Sequence, residues 1–357
     1  MRILQLIDSL AVGGAERMAV NYANALSQKM PFSGLVATRK EGSLKSDLLT
    51  DVNYLFLDKK KTIDTSAIFR LKSYCKKNKV SMIHAHGTTF FTAFLLKIVL
   101  PKMKIIWHDH NGARNTQTKT QNLILLLCSQ LFSGIIVVNH KLENWVREHL
   151  GSQNVLYLPN FTTLPDFRDK QTELYGNSGK RILYLANLRY PKNHIMLLAV
   201  ALKLRERHPD WSFHLVGEDK HDDYAHQIKT FIATHSLTET VYIYGQKTDS
   251  GHIISQSDIA VITSSYEGLP VSLLEYGIHG KAVVATNVGE IPMVIDNGKN
   301  GFVVEVELEA FYNALVKLIE DVPLRSQFGE ALSQTIAEKH SQEAVLRHYL
   351  KWLETIL

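Results

Sequence analysis

The chain has 357 residues, of which 45% are hydrophobic and 21% are charged. At about 150 residues per domain, this length predicts two soluble globular domains, each large enough for its own core. The 20 glycines and 9 prolines are too few for a fibrous or disordered chain. Two cysteines exclude a disulfide scaffold and a four-cysteine zinc module, and they favour a reducing compartment. A net charge of +5 does not by itself indicate nucleic-acid binding.

The sequence contains neither a recognisable secretory signal nor a membrane-spanning run. The first apolar run, Ile3–Ile7, is too short for a signal peptide. The longest apolar stretches, at 90–100 and 123–138, are interrupted by polar residues before they reach about 18 positions. These features predict a cytoplasmic protein, and they leave open a peripheral position on the cytoplasmic face of a membrane.

In chain order, short β-branched and aromatic runs alternate with longer helical segments. Several runs, such as 135–138 and 259–262, are apolar on both faces, which is typical of parallel sheets covered by helices on each side. The pattern predicts an α/β protein of two tandem Rossmann-like, doubly wound parallel-sheet domains that face a central cleft. The predicted strands lie at 2–8, 34–38, 53–57, 81–86, 104–110, 134–139, 154–158, 181–187, 212–217, 241–244, 259–264, 282–286 and 301–306, and the clearest helices at 15–29, 64–77, 193–208 and 222–235.

A change in composition marks the boundary between the two domains. The stretch from Pro159 to Lys180 is rich in turn-forming residues and has little apolar periodicity. We therefore predict an N-terminal domain at 1–160, a linker at 161–180 and a C-terminal domain at 181–340. The last segment, 341–357, predicts an amphipathic helix that could pack back on the N-terminal domain.

Ligands of open parallel sheets bind at the carboxyl ends of the strands, so the residues that follow strands are the candidates for a site. Gly13 and Gly14 follow the first strand and open a helix, where the backbone can approach a ligand and helix amides can bind an anion. An ordinary strand-to-helix turn is the alternative. The spacing is not that of a dinucleotide-binding fingerprint.

Histidines end two first-half strands: His84 and His86 on one, His108 and His110 on the other. Strand alternation places His108 and His110 on the same side and Asp109 on the opposite side. Structural histidines, and a metal site of two histidines and a carboxylate, are alternatives to a role in orienting a substrate.

Charged residues also follow two strands of the second half. Arg189 and Lys192 flank a proline turn before a helix, which suits a diphosphate, although a solvated surface pair is the alternative. Glu267 lies in the loop after the strand at 259–264. Glu275 lies about one and a half turns into the next helix, on the order of 8 Å along its axis, so the two carboxylates can hold separate parts of one extended ligand.

Glu267 and Glu275 enclose seven residues, the E-x7-E pattern of retaining glycosyltransferases with a GT-B fold. Together with Gly13-Gly14, the Arg-x-x-Lys segment and the run at 286–304, this pattern resembles glycosyltransferase family 4 along nearly the whole chain. The resemblance implies a nucleotide diphosphate sugar bound mainly by the C-terminal domain. It also implies a glycan or lipid-linked acceptor bound mainly by the N-terminal domain.

The resemblance also implies roles for individual residues. His110 matches the family's strand-end histidine near the sugar, with His108 as the rival assignment. After Gly289 the family usually has a second glycine, where this chain has Glu290. The remaining implied roles are ribose binding by Glu275, diphosphate binding by Arg189 and Lys192, contact with the transferred sugar and leaving phosphate by Glu267 and the amides of Gly268 and Leu269, and approach to the phosphate or sugar by Gly13-Gly14.

We expect neither a metal nor a cofactor, because no D-x-D triplet occurs in the sequence. Cationic side chains and helix amides would then stabilise the leaving phosphate. Since no nucleophile is evident, we expect the acceptor to attack on the face from which the phosphate leaves, with a phosphate oxygen taking the acceptor's proton. A nucleotide-sugar epimerase of the same fold is the enzymatic alternative.

A basic stretch at 59–107 contains eleven lysines and arginines and a single acidic residue, Asp64. It predicts contact with an anionic membrane or a lipid-diphosphate acceptor, as in the synthesis of a bacterial surface polysaccharide. A solvated basic face is one alternative. Nucleic-acid binding is another, but no nucleic-acid-binding module accompanies the stretch, so no nucleic-acid partner is expected.

Overall fold

A computed structural model of the chain describes residues 1–111, 114, 122–162 and 171–356. The chain folds into two compact units. The first combines Met1–Asn160 with Gln342–Leu357, and the second is Phe161–Ser341. The C-terminal segment is therefore part of the first unit.

The first unit contains a seven-stranded sheet in which every neighbouring pair is parallel, in the order β3-β2-β1-β4-β5-β6-β7. The strand order reverses between β1 and β4, and such a switch point opens a crevice at the carboxyl ends of the two strands. The strands are β1 Ile3–Ser9, β2 Ser33–Lys40, β3 Asn53–Phe56, β4 Met82–His86, β5 Lys104–Asp109, β6 Gly134–Val137 and β7 Val155–Tyr157.

The second unit contains a six-stranded parallel sheet in the order β10-β9-β8-β11-β12-β13, with its switch point between β8 and β11. All four residues of β11 are buried, as their apolar character on both faces predicts. The strands are β8 Arg181–Leu185, β9 Ser212–Val216, β10 Val241–Gly245, β11 Ile259–Ile262, β12 Ala282–Thr286 and β13 Phe302–Val304.

Helices connect the strands, and local capping sets several of their ends. The side chains of Asp64, Asn139 and Asp222 accept hydrogen bonds from backbone amides of the first turns that follow them. The α-helices are α1 Gly14–Ser27, α2 Thr65–Lys77, α3 Phe90–Val99, α4 Leu123–Ser129, α5 His140–Leu150, α6 His194–Arg207, α7 Asp223–Thr234, α8 Ser250–Ser255, α9 Val271–Ile278, α10 Ile291–Val294, α11 Leu308–Glu320, α12 Val322–Lys339 and α13 Gln342–Ile356.

The two doubly wound α/β sheets confirm the predicted fold class, and each predicted strand has a counterpart in the structure. The segment predicted as a linker, 161–180, is not separate from the two units. Its residues 163–170 lie outside the described part of the chain, but residues 171–180 belong to the second unit. The amides of Gln171 and Thr172 donate to Asp249 Oδ2 at 3.0 and 2.7 Å. Side chains of the second unit thus fix a segment whose composition indicates only turns.

Candidate functional site

A lysine–glutamate pair lies at the switch point of the second sheet. Lys192 follows β8 and Glu267 follows the neighbouring strand β11, and Lys192 Nζ is 2.5 Å from Glu267 Oε1. The side chains are only 14% and 10% exposed, so water screens the two charges weakly. Ser264 Oγ donates to the same carboxylate oxygen at 2.6 Å. The structure therefore joins two of the predicted site residues in one hydrogen-bonded group.

Buried hydroxyl groups hold the backbone of Lys192 in place. Tyr184 OH and Thr263 Oγ1 both donate to the Lys192 carbonyl oxygen, at 2.7 and 3.0 Å. Burial and then the negative charge of Glu267 raise the pKa of Tyr184, so its phenol stays protonated and can donate. The sequence analysis did not identify these supporting residues. Their only local signal is a hydroxyl side chain within or just after a largely apolar strand.

Arg189 is more exposed than Lys192, although both residues follow β8. It precedes a short 3₁₀ turn, Tyr190–Lys192, and its side chain is exposed. In the part of the chain that the structure describes, its guanidinium has neither an ion pair nor a hydrogen bond. One predicted cation is thus held by a carboxylate, and the other is available to a ligand.

The segment between the two predicted glutamates leads into α9. Gly268 is half-buried and Leu269 is buried. Pro270 is the residue immediately before α9. Glu275 is the fifth residue of the helix and is half-buried.

The turn after β12 supports the Glu267 loop through direct backbone contact. Gly289 has a φ of +58°, and a Cβ atom at this position would lie 2.4 Å from the carbonyl oxygens of both Glu267 and Gly268. The Glu290 amide donates to the Gly268 carbonyl at 2.9 Å. Glu290, which replaces the family's usual second glycine, is 95% buried (5% exposed). Gly289 is therefore required both by its conformation and by the space available.

In the first unit, the Gly13-Gly14 turn leads from β1 into α1, which begins at Gly14. Gly13 is extended, with a φ of −166°, a conformation open to any residue. A Cβ at Gly13 would lie 2.3 Å from Glu16 Oε2, so the side chain of Glu16 lies over this turn. Gly14 is exposed.

Four histidines form an array at the carboxyl ends of β4 and β5. His84 and His86 stack along β4 with ring centroids 4.4 Å apart, and His108 and His110 stack at 4.0 Å. Across the strands, His84 Nε2 is 3.2 Å from His108 Nδ1, and His86 Nδ1 is 2.9 Å from His110 Nε2. The array is thus two stacked columns joined by two N···N hydrogen bonds.

Each hydrogen-bonded pair of the array continues to a further polar side chain. His84 Nδ1 is 3.1 Å from Tyr349 OH on α13, and His86 Nε2 is 2.8 Å from Gln5 Oε1 on β1. His108 is 1% exposed, whereas His110 is only partly buried. Of the two rival histidines, His110 is therefore the one with access to solvent, and its role stays a prediction.

Burial lowers the pKa of every histidine in the array. The pKa values of His84 and His110 fall to about 3, and those of His86 and His108 fall well below the usual 6.5. Burial is the main cause for each ring. The charge of neighbouring histidines adds to it for His84, His86 and His108, because one protonated ring disfavours the next. The array is neutral at physiological pH.

The array also contains the only described grouping suited by residue type to a metal: ligand nitrogens of His84, His86 and His108 lie within 4.8 Å of one another. Nitrogens of these rings already form the hydrogen bonds of the array, His84 Nε2 with His108 Nδ1 and His86 Nδ1 with His110 Nε2. The structure agrees with the predicted placement of Asp109 opposite His108 and His110. Asp109 lies on the other side of β5, where Arg114 Nη2 donates to it at 3.0 Å.

The basic stretch at 59–107 is not entirely a surface feature. Lys59 is 5% exposed, and its Nζ donates to Thr92 Oγ1 at 3.0 Å. Burial lowers its pKa. Most of the other basic residues of the stretch are exposed.

Comparison with known proteins assigns both units. Residues 12–165 match the family model described as Glycosyltransferase Family 4, and residues 166–335 match that of Glycosyl transferases group 1. The chain belongs to the GT-B glycosyltransferases of the family 4 type. This membership confirms the resemblance inferred from the sequence and identifies the protein as an enzyme, a glycosyltransferase.

Relatives of this glycosyltransferase extend over nearly the whole chain. The amylovoran biosynthesis glycosyltransferase AmsD of Erwinia amylovora is 23% identical, over 98% of this chain and 98% of its own. The UDP-Gal:alpha-D-GlcNAc-diphosphoundecaprenol alpha-1,3-galactosyltransferase of Escherichia coli is also 23% identical, over 72% and 71%. The crystal structure of Anabaena HepE in complex with UDP and glucose has a TM-score of 0.84 at 14% identity, over 99% of this chain and 100% of the other. That likeness shows the GT-B fold.

Proposed function

We propose that this glycosyltransferase moves a sugar, with retention of configuration, from a nucleotide diphosphate sugar to a glycan or lipid-linked acceptor during synthesis of a bacterial surface polysaccharide. The observation that carries the proposal is the Lys192–Glu267 pair at the switch point of the second sheet, beside the exposed Arg189. A parallel sheet binds its ligand at this position. The names of the E. coli and E. amylovora relatives support the donor and acceptor classes.

Lys192 and Arg189 would bind the diphosphate of the donor. Glu267 holds the ammonium group of Lys192, and Tyr184 holds its backbone carbonyl. A donor phosphate that binds here would therefore meet an ammonium group whose position is already fixed. Arg189 has no partner in the described residues and can offer two parallel N–H groups to phosphate oxygens. Glu275 would bind the ribose hydroxyls, as the family resemblance implies.

In the transfer step, the bond between the sugar's anomeric carbon and the phosphate oxygen breaks, and the acceptor oxygen bonds to the same carbon on the same face. The acceptor's proton passes to the departing phosphate oxygen. Lys192 and Arg189 stabilise the negative charge that grows on the diphosphate, which is the role that a metal would otherwise supply. His110 would contact the transferred sugar.

The test is sugar transfer from uridine diphosphate sugars to a lipid-linked acceptor in excess chelator. We expect full activity in chelator, and a loss of about 10²- to 10³-fold in kcat for each of Arg189→Ala and Lys192→Ala, the usual cost of removing one group that stabilises developing charge. Lys203→Ala is the matched control, because Lys203 forms an exposed ion pair with Glu309. Dependence on added divalent metal, or an unchanged kcat in both site variants, would overturn the proposal.

We also propose that the first unit docks on an anionic membrane. Helices α2, α3 and α4 pack side by side, and each exposes large apolar side chains more than half to solvent. Exposed lysines of α2 adjoin this face, and each can contribute about 1 kcal/mol at an anionic surface. Among the described residues, no helix is both long and apolar enough to cross a bilayer. The exposed apolar residues are Phe69, Ile98, Leu123, Ile124 and Leu127.

Sedimentation with vesicles tests this docking. The protein should bind vesicles that contain phosphatidylglycerol and bind neutral phosphatidylcholine vesicles weakly. The double variant Ile124→Ser, Leu127→Ser should lose most of this binding. Met293→Ser, which changes an equally exposed apolar residue of the second unit, should not. Equal binding to both vesicle types would contradict the proposal.

A further inference from the structure

We propose that Gln5 and His86 are positioning residues that set the tautomer of His110, so that His110 offers an unprotonated Nδ1 to a hydroxyl group of the transferred sugar. The inference rests on the proposed role of His110 in sugar transfer. It concerns one pair of the histidine array, the chain from Gln5 Oε1 through His86 to His110.

The direction of this chain follows from counting protons. Gln5 Oε1, a carbonyl oxygen, can only accept, so His86 Nε2 must carry the proton of the 2.8 Å contact. His86 is neutral because of its burial, so its Nδ1 is unprotonated. His110 Nε2 must then donate across the 2.9 Å contact. His110 is itself neutral, which leaves Nδ1 as a hydrogen-bond acceptor.

The position of Gln5 is unusual enough to need a reason. It lies in the middle of β1, is 0% exposed, and has the buried apolar residues Leu4 and Leu6 on either side. A buried amide is costly unless it forms hydrogen bonds. Among the described residues, the contact with His86 is the only one recorded for the Gln5 side chain, and its Nε2 has no partner. Fixing the histidine pair is the function that this contact provides.

Among the described residues, no charged side chain contacts the histidine pair that Gln5 joins. In the described helices, the aromatic side chains that pack on the array are Tyr22 of α1 and Tyr349 of α13, and burial raises the pKa of each. Both are therefore neutral. Asp109, the nearest acid in the sequence, is paired with Arg114 on the other side of β5.

A fixed tautomer determines which sugar group His110 can bind. An unprotonated Nδ1 accepts a hydrogen bond from a hydroxyl, whereas an Nδ1–H would require an acceptor oxygen. Protonation of His110 would turn Nδ1 into a donor, but burial of the ring opposes it by lowering the pKa. The ring is therefore prepared to orient a sugar hydroxyl before the sugar arrives.

The test is a long-range ¹H–¹⁵N correlation spectrum of the full chain with ¹⁵N-labelled histidine at pH 7.5, in which the two tautomers have distinct nitrogen shifts. The His110 signals are assigned by their loss in His110→Gln. We expect the Nε2–H tautomer for His110 in the wild type and a mixture of tautomers in Gln5→Met. Tyr349→Phe, which alters only the outer contact of the other histidine pair, should leave His110 unchanged.

A wild-type His110 protonated at Nδ1, or an identical spectrum in Gln5→Met, would overturn the inference. The wild-type spectrum decides the matter even if Gln5→Met fails to fold. Because the readout is the tautomer and not turnover, the outcome is separate from the proposed activity. If His110 is the Nε2–H tautomer but the protein transfers no sugar, the inference about Gln5 and His86 stands and the proposed function is refuted. In an active enzyme, Gln5→Met should raise the KM for the donor more than it lowers kcat.

Discussion

Single backbone positions determine whether the Glu267 loop can form, and Gly289 is the clearest example. A Cβ atom added at Gly289 would lie directly against the carbonyl groups of Glu267 and Gly268, and the φ of Gly289 is positive. Any side chain there must displace backbone atoms that cannot move without moving Glu267. Lys192 would then lose the fixed position of its carboxylate partner.

We predict that Gly289→Ala lowers both stability and activity. The left-handed conformation alone costs about 1–2 kcal/mol for a residue with a Cβ, and the clash with two carbonyl oxygens adds to it. Gly298→Ala is the matched control. Gly298 has a φ of +80°, but a Cβ there would meet nothing within 4 Å. Urea unfolding and initial rates measure the effects, and equal losses in the two variants would contradict the steric part of the argument.

Among the secondary-structure elements, the ends of β4 and β5 carry four histidines whose pKa values are lowered by burial. In the unfolded chain these histidines would titrate near 6.5, whereas the folded pKa values of His84 and His110 are about 3. Between these values the unfolded state binds protons that the folded state does not. Stability is therefore complete above about pH 6.5 and is lost as the pH falls toward 3.

We predict that the free energy of unfolding of the first unit falls by up to about 1.4 kcal/mol per pH unit for each such histidine in this range. His84→Gln should reduce the slope by about one histidine's share. His348→Gln, which changes an exposed histidine of α13 in the same unit, should leave the slope unchanged. Urea titrations at pH 7, 6, 5 and 4.5 supply the slopes, and equal slopes in the wild type and His84→Gln would refute the prediction.

At the level of the whole molecule, the chain completes its first unit with its last helix. α13 buries Val345, Leu346, Tyr349 and Leu353, and Trp352 packs directly on Gly134 of β6. Each fully buried apolar side chain contributes about 1.5–3 kcal/mol. The helix therefore contributes an amount comparable with the total stability of a typical domain, about 5–15 kcal/mol.

We predict that a chain ending at Ser341 retains a folded second unit but has an unstable first unit. Hydrogen exchange followed by mass spectrometry should show peptides of β4 and β5 losing protection, while those of β11 and β12 keep it. Leu353→Ala should produce a partial loss confined to the first unit. Unchanged protection of β4 and β5 in the truncated chain would contradict the assignment of α13 to this unit.

The sequence by itself determined the strands and the residues that follow them. Runs such as 259–262 are apolar on both faces, which suits a strand that is buried between two layers of helices. Turn residues mark strand ends, so Gly13, Lys192 and Glu267 could be located after strands from local pattern alone. The family resemblance rested on the same local motifs.

Only the tertiary structure decided which of these side chains meet. Lys192 and Glu267 are 75 residues apart in the chain, and Tyr349 and His84 are 265 residues apart. Local periodicity records whether a position is buried, but it does not record which distant polar group will satisfy a buried nitrogen or oxygen. That choice depends on strand order and on the return of α13, which bring together residues that no short pattern connects.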